Sequence, residues 1–169
     1  YFDNDTAPTR GWGIATEFGV GTTLRPERDP FVRTFARWLY FQPLGKVTAP
    51  DGSSRRARIA LRTEAGAVLA RAGAQIPVTQ LFLTGGDTTV RGYSLRSIGA
   101  RTENDQLFGG RYLAVASAEW QRPIIVGGTV SDFESALFVD VGAVGDRVAD
   151  LHARVGVGAG LRWRSPVGP

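Results

Sequence analysis

The sequence predicts an all-β chain of antiparallel, up-and-down strands, and three observations predict it. From Leu151 to Trp163 the odd positions read Leu151, Ala153, Val155, Val157, Ala159, Leu161 and Trp163, while every even position is polar, charged or glycine. That alternation is a strand with one apolar and one polar or small face, and it exceeds the usual soluble length of about 3–10 residues. The 22 glycines are spread through apolar segments, where each would cost a helix roughly 1 kcal/mol relative to Ala. No run of about 18 apolar residues occurs, so no transmembrane helix is expected, while alternating barrel strands keep mean hydropathy near zero. The value of −0.10 fits a soluble sheet or part of a larger membrane barrel.

The elements follow in order. Near the start, Trp12, Ile14, Phe18, Val20 and Leu24 share one face, with Thr16 and Thr22 among them, and Gly13, Ala15, Glu17, Gly19, Gly21 and Thr23 share the other. A strand over 32–42 is mixed: Phe35, Leu39 and Phe41 face one way together with Arg33 and Arg37, while Trp38 and Tyr40 face the other, so its inner face stays open. A third strand is expected over 58–69 and others over 112–122 and 133–144. In 112–122, Tyr112, Ala114, Ala116, Ala118 and Trp120 lie opposite Leu113, Val115, Ser117, Glu119 and Gln121. Tyr112 and Trp120 are separated by roughly 26 Å of strand, which puts an aromatic near each end of an apolar band. Pro26 to Pro30 and Ala143 to Asp150 read as short turns. Segments 43–56 and 70–110 read as longer connections, the second of which has no clear periodicity, a feature that usually carries function. Six sequential strands leave two open edges, which lipid does not tolerate.

Composition narrows the classes. With 21% charged and 43% apolar residues the chain is not disordered. It has no cysteine, which excludes disulfides and thiolate metal sites. The net charge of +4 is scattered, with Arg55 and Arg56 the only adjacent basic pair, so nucleic acid is not an expected partner. The chain opens on Tyr1 and has no methionine, so it is not expected to be the start of a translation product, and no signal peptide is visible.

The long connection holds Phe82-Leu83-Thr84-Gly85-Gly86-Asp87-Thr88-Thr89-Val90-Arg91-Gly92-Tyr93. This resembles the loop signature of the BamA/TamA superfamily of outer-membrane assembly proteins (the bacterial surface antigen family). The resemblance continues through Ser97-Ile98-Gly99, 110–120, Phe138-Val139-Asp140-Val141-Gly142 and the closing 158–169, and at the front Asp5-Thr6-Ala7-Pro8-Thr9-Arg10-Gly11-Trp12 is similar to the family's strand-entry motif. The closing Arg162-Trp163-Arg164-Ser165-Pro166-Val167-Gly168-Pro169 and the short turns look more like TamA than BamA.

What the resemblance implies is a sixteen-stranded outer-membrane barrel, of which residues 1–169 supply strands nine to fourteen, with the POTRA domains and the last two strands absent. It implies insertion and folding of client β-barrel proteins, autotransporters among them, without covalent chemistry or cofactor. The implied partners are lipid, lipopolysaccharide, client strands and an inner-membrane-anchored, periplasm-spanning protein. Two relatives of the same superfamily stay open: a two-partner secretion translocator and the barrel of a patatin-like lipase. A soluble β-sandwich is the alternative outside it.

The resemblance also matches Arg91 with two acids. Alternation places Glu119 opposite Trp120, and Asp140 on the face of Glu134, so both point inward. A guanidinium has five donors in a fixed fork and suits two carboxylates where water is limited. The expectation is that Arg91 pins the loop inside the barrel, that Gly85, Gly86 and Gly92 allow positive φ or close approach, that Val90 belongs to the same motif and that Tyr93 packs on the inner wall. Alternatively, Arg91 is solvated and the acids merely line a polar lumen. Trp12, Tyr112, Trp120 and Trp163 are expected as the aromatic girdle. Gly156-Val157-Gly158-Ala159-Gly160 lies inside an unbroken alternation and leads to no helix, so it reads as strand and not as a nucleotide loop. A triad of His152, Ser117 and Asp140 lacks a nucleophile elbow. Asp87, Glu119 and Asp140 could in principle hold a cation, with Arg91 competing for the same charge.

Overall fold

A computed structural model describes residues 1–4, 8–24, 28–101 and 106–164. Six long strands form one antiparallel sheet: β1 (Gly11–Thr22), β2 (Pro30–Thr48), β3 (Ser54–Ala70), β6 (Tyr112–Val126), β7 (Thr129–Gly145) and β8 (Arg154–Trp163). Their order in space is their order in sequence, β1-β2-β3-β6-β7-β8, as hairpins demand. The connection between β3 and β6 carries a small hairpin of β4 (Ala100–Arg101) and β5 (Leu107–Phe108). No helix among the described residues is long and apolar enough to cross a membrane.

The two faces differ in charge, and the register shows why. Trp12 pairs Tyr40, Tyr40 pairs Leu61, Leu61 pairs Ala118, Ala118 pairs Val139, and Val139 pairs Val157. Partnered residues share a face, so one side collects Ile14, Phe18, Val20, Leu69, Leu137, Val155 and Leu161, all exposed. The opposite side collects Arg33, Arg37, Arg62, Glu64, Glu119, Glu134, Asp140 and Arg162, and the β3–β6 connection lies on it. The inner face of β2, undecided from its pattern, is therefore the one with Arg33, Phe35 and Arg37. Glu64 is buried there and accepts from Arg37 Nε at 2.8 Å.

Several strand ends differ from the sequence expectation. The segment 43–56 is not a long connection: β2 and β3 run on to a tight turn at 49–53. Pro43, which cannot donate to a ladder, sits at a register shift between Pro43 and Lys46, and pairing resumes beyond it. Pro123 does the same in β6, at the shift between Pro123 and Ile125. The strand β7 extends to Gly145, and β8 starts at Arg154 after a single 3-10 turn at Val148–Asp150, so 151–153 are not strand. Pro26, Asp5-Thr6-Ala7 and 165–169 lie outside the described residues.

The core sits at one end of the inner face. Phe31, Val68, Leu113, Val115 and Val144 from the sheet pack with Ala74, Ile76, Phe82, Val90 and Ile98 from the β3–β6 connection. Each fully buried side chain of this size contributes about 1.5–3 kcal/mol, which gives the long connection a fixed place.

Candidate functional site: the seat of the long connection

The connection is held by its own backbone first. Phe82 and Gly110 exchange hydrogen bonds at 2.8 and 2.9 Å, and Thr84 and Ile98 exchange bonds at 2.9 Å each, so the segment is a doubled-back ribbon. At its tip, Gly85 and Gly86 both have φ of 107° and Gly92 has φ of 89°, conformations that only glycine adopts without strain. The Gly85 amide donates to Thr89 Oγ1 at 3.0 Å and the Gly86 amide to the Val90 carbonyl at 3.3 Å. This turn drives Val90, 0% exposed, into the core and aims Arg91 at the wall.

Two neighbouring ladder rows form the seat. One runs Arg62, Ser117, Asp140, Gly156 across β3, β6, β7 and β8; the next runs Ala60, Glu119, Phe138, Gly158. Arg91 lies over both. Its Nε donates to Asp140 Oδ2 at 2.7 Å and its Nη2 to Asp140 Oδ1 at 2.9 Å, a bidentate pair, and its own amide donates to Oδ2 at 3.0 Å. Arg91 Nη1 donates to Glu119 Oε2. The guanidinium carbon stands 3.6 Å from the centroid of the Phe138 ring, a cation–π arrangement. Asp140 is 0% exposed and Glu119 6%, so charge-assisted bonds replace the water both have lost.

Each acid is also oriented by the wall. Ser117 Oγ donates to Asp140 Oδ1 at 2.6 Å. Glu119 Oε1 accepts from Arg162 Nη1 at 2.8 Å and from Gln121 Nε2 at 2.6 Å. Across the sheet, Arg62 donates from Nη2 to the Thr89 carbonyl at 2.7 Å and from Nη1 to the Thr88 carbonyl. The ribbon tip is thus gripped through its backbone by β3 and through Arg91 by β6 and β7. On the β8 side, Tyr93 is half-buried and its hydroxyl donates to the Val155 carbonyl at 3.3 Å.

Glycines make the approach possible. A Cβ at Gly142 would stand 2.5 Å from Val90 Cγ2, and one at Gly156 would meet the Arg91 carbonyl. A Cβ at Gly158 would stand 2.6 Å from the Phe138 ring, the ring that carries Arg91. Gly160, in the same run, has nothing within 4 Å.

Phe138, Gly142, Ser117, Arg62 and Arg162 were given no role by the sequence. Phe138 and Gly142 flank Asp140 at two-residue spacing, and that spacing was the available signal. The arginines act across strands, and their reach needs the register. The groupings that the sequence set aside do not assemble either. Ser117 meets Asp140, but His152 lines a separate cavity with Asp146, Asp150 and Arg154. No group of three His, Cys, Asp or Glu that could hold a metal occurs among the described residues. Asp87 lines a cavity of about 700 Å³ beside the seat, with Arg58, Arg62, Glu119, Glu134 and Arg162.

The aromatic residues lie on the outer face. Trp12, Trp120 and Trp163 are exposed toward the end with the 49–53 and 127–128 turns, and Tyr112 stands at the other end, paired with Gly145 and Ala67.

The chain is matched over residues 2–169 by the model of the Omp85 superfamily domain. It is 30% identical over 177 residues to the outer membrane protein assembly factor BamA of Neorickettsia risticii, covering 98% of this chain and 22% of that protein. With the BamA of Nitratidesulfovibrio vulgaris it shares 29% identity over 175 residues, 98% of this chain and 20% of that one. It therefore spans about a fifth of these relatives. The crystal structure of BamA from Haemophilus ducreyi lacking POTRA domains 1–3 superposes with a TM-score of 0.72 at 20% identity, over 100% of this chain and 35% of that one, a likeness of fold. An antiparallel sheet with one largely apolar face, a ribbon seated on the other and a family match along nearly its whole length identify the chain as a member of the Omp85 superfamily, located in the bacterial outer membrane.

Proposed function

We propose that residues 1–169 are part of the barrel of a non-enzymatic assembly factor that inserts and folds β-barrel proteins, autotransporters among them, in the outer membrane. The observation that carries this is the ribbon tip locked by Arg91 to Asp140 and Glu119 on the polar face of a sheet whose other face is apolar. Such a ribbon fills the interior and braces the wall, so the barrel works at its rim and edges on clients and lipid instead of serving as an open pore. The assembly role named for the two BamA relatives supports the reading. Sixteen strands, of which these are the ninth to fourteenth, would close both open edges. POTRA domains and two final strands would then come from the rest of the protein. The closing Arg162-Trp163-Arg164-Ser165-Pro166 run supports a TamA-like parent, with an inner-membrane-anchored partner and lipopolysaccharide around the rim. Within this reading, Trp12, Trp120 and Trp163 anchor one lipid interface and Tyr112 the other.

The test reconstitutes the complete protein in liposomes and follows how fast a urea-denatured client barrel becomes protease-resistant. Assembly faster than in empty liposomes is expected. Equal rates would overturn the assembly role and favour a secretion pore or a lipase anchor.

A further inference from the structure

The two acids of the seat are not equivalent. Among the described residues, Arg91 is the only cation hydrogen-bonded to Asp140, which it holds through three donors; Ser117 supplies the remaining bond. Glu119 instead stands between two cations. Arg91 takes Oε2, while Arg162, at the far end of β8, takes Oε1 at 2.8 Å together with Gln121. Arg162 reaches Glu119 diagonally across β7 and belongs to the wall, not to the ribbon. Withdrawing the ribbon would strip Asp140 of its cation but leave Glu119 paired.

We propose that Arg162 is a resident competitor for Glu119 that makes the seat reversible, so that of the two acids Asp140 is the one that locks the ribbon. Two physical effects act in the same direction. Arg162 lowers the cost of an empty seat by keeping a buried carboxylate paired, since an unpaired buried charge is strongly destabilising. It also draws on the single negative charge of Glu119 that Arg91 uses, which weakens the hold of that acid on the ribbon while both are in place. Removing Arg162 should therefore tighten the seat. A residue that merely braced β8 would loosen the seat when removed. The proposal takes the seated ribbon from the reading above and adds that it can leave its seat, and its test is made without client.

The chain has no cysteine, and Val90 is fully buried, so Val90→Cys in the complete protein reports withdrawal of the ribbon by reaction with N-ethylmaleimide. Where closing is fast, the labelling rate follows the population of the open state. In that background Arg162→Gln should slow labelling by about threefold to tenfold, at the lower end of the coupling seen within one ion-pair network. Asp140→Asn should speed it far more than Glu119→Gln does. Adding Arg162→Gln to Glu119→Gln should change nothing further, because the shared acid is gone. Gel mobility before and after heating confirms that each variant is a folded barrel. Labelling that is faster or unchanged in folded Arg162→Gln would overturn the proposal. So would slowing that persists in the Glu119→Gln background, which would mean repulsion without a shared acid. A protein that labels as expected but fails to accelerate client assembly would sink the assembly reading and leave this one standing.

Discussion

At the residue scale the seat is a problem of closeness. Val90 can reach the core, and Arg91 the wall, only because Gly142 and Gly156 carry no side chain where the ribbon backbone descends. Gly142→Ala puts a methyl 2.5 Å from Val90 Cγ2 and should destabilise the seat by about 1–3 kcal/mol, the usual cost of overpacking. Gly160→Ala, with open space around it, should be neutral. Proteolysis of the ribbon in the folded protein measures both. Equal sensitivity of the two variants would mean that backbone freedom, and not contact with the ribbon, explains the glycines. Asp140 and Glu119 were legible as inward acids from alternation alone, and the resemblance pointed to Arg91. That the guanidinium between them sits on the Phe138 ring was not legible, because Phe138 reads as one more apolar residue in a strand until the ribbon lies over it.

At the element scale, period two made the six strands visible but misplaced their ends. The strands expected over 32–42 and 112–122 stop just short of Pro43 and Pro123, whereas both prolines sit at register shifts beyond which pairing resumes. The extended ends carry a junction of their own. Asp51, in the turn after β2, accepts from Ser53 Oγ at 2.6 Å and from Thr129 Oγ1 at 2.7 Å, and Ser53 Oγ accepts from the Val130 amide at 3.0 Å. These hydroxyls, Ser53 first and Thr129 next, hold the Asp51 carboxyl below its ordinary 3.8. A depressed value means the junction is complete above that pH and fades as pH falls through the lower folded value. Amide exchange at Val130, corrected for the intrinsic pH effect, should therefore rise below about pH 4 and lose that dependence in Asp51→Asn. A profile identical in both proteins would remove Asp51 from the junction. The outer face makes a second prediction at this scale. Val141→Arg puts a charge between Ala116 and Val155, midway between the Tyr112 and Trp120 rows, and should lower stability by roughly 2–4 kcal/mol near the bilayer midplane. Urea unfolding in liposomes measures the loss, and a neutral result would mean that this face is not turned to lipid.

At the scale of the whole molecule, the ribbon and the sheet make one object. The described sheet has a neighbour on only one side of β1 and of β8, and lipid demands partners for both edges. In the proposed barrel the rest of the protein supplies them, and the seated ribbon stiffens β3, β6, β7 and β8 from within through Arg62, Arg91 and Tyr93. Fold class and the outward aromatics could be read from one chain because alternation is local. The seat spans four strands and a distant ribbon, so only the register brings its parts together. The most direct test of the account compares the complete protein with its Arg91→Ala variant in liposomes, after heat-dependent gel mobility has shown both barrels folded. Removing one partner of a buried pair costs about 3–5 kcal/mol, enough to unseat the ribbon. The variant is expected to assemble a client barrel much more slowly than the parent and to have a protease-sensitive ribbon. An unseated ribbon with client assembly at the parent's rate would contradict the claim that the Arg91 seat serves the function.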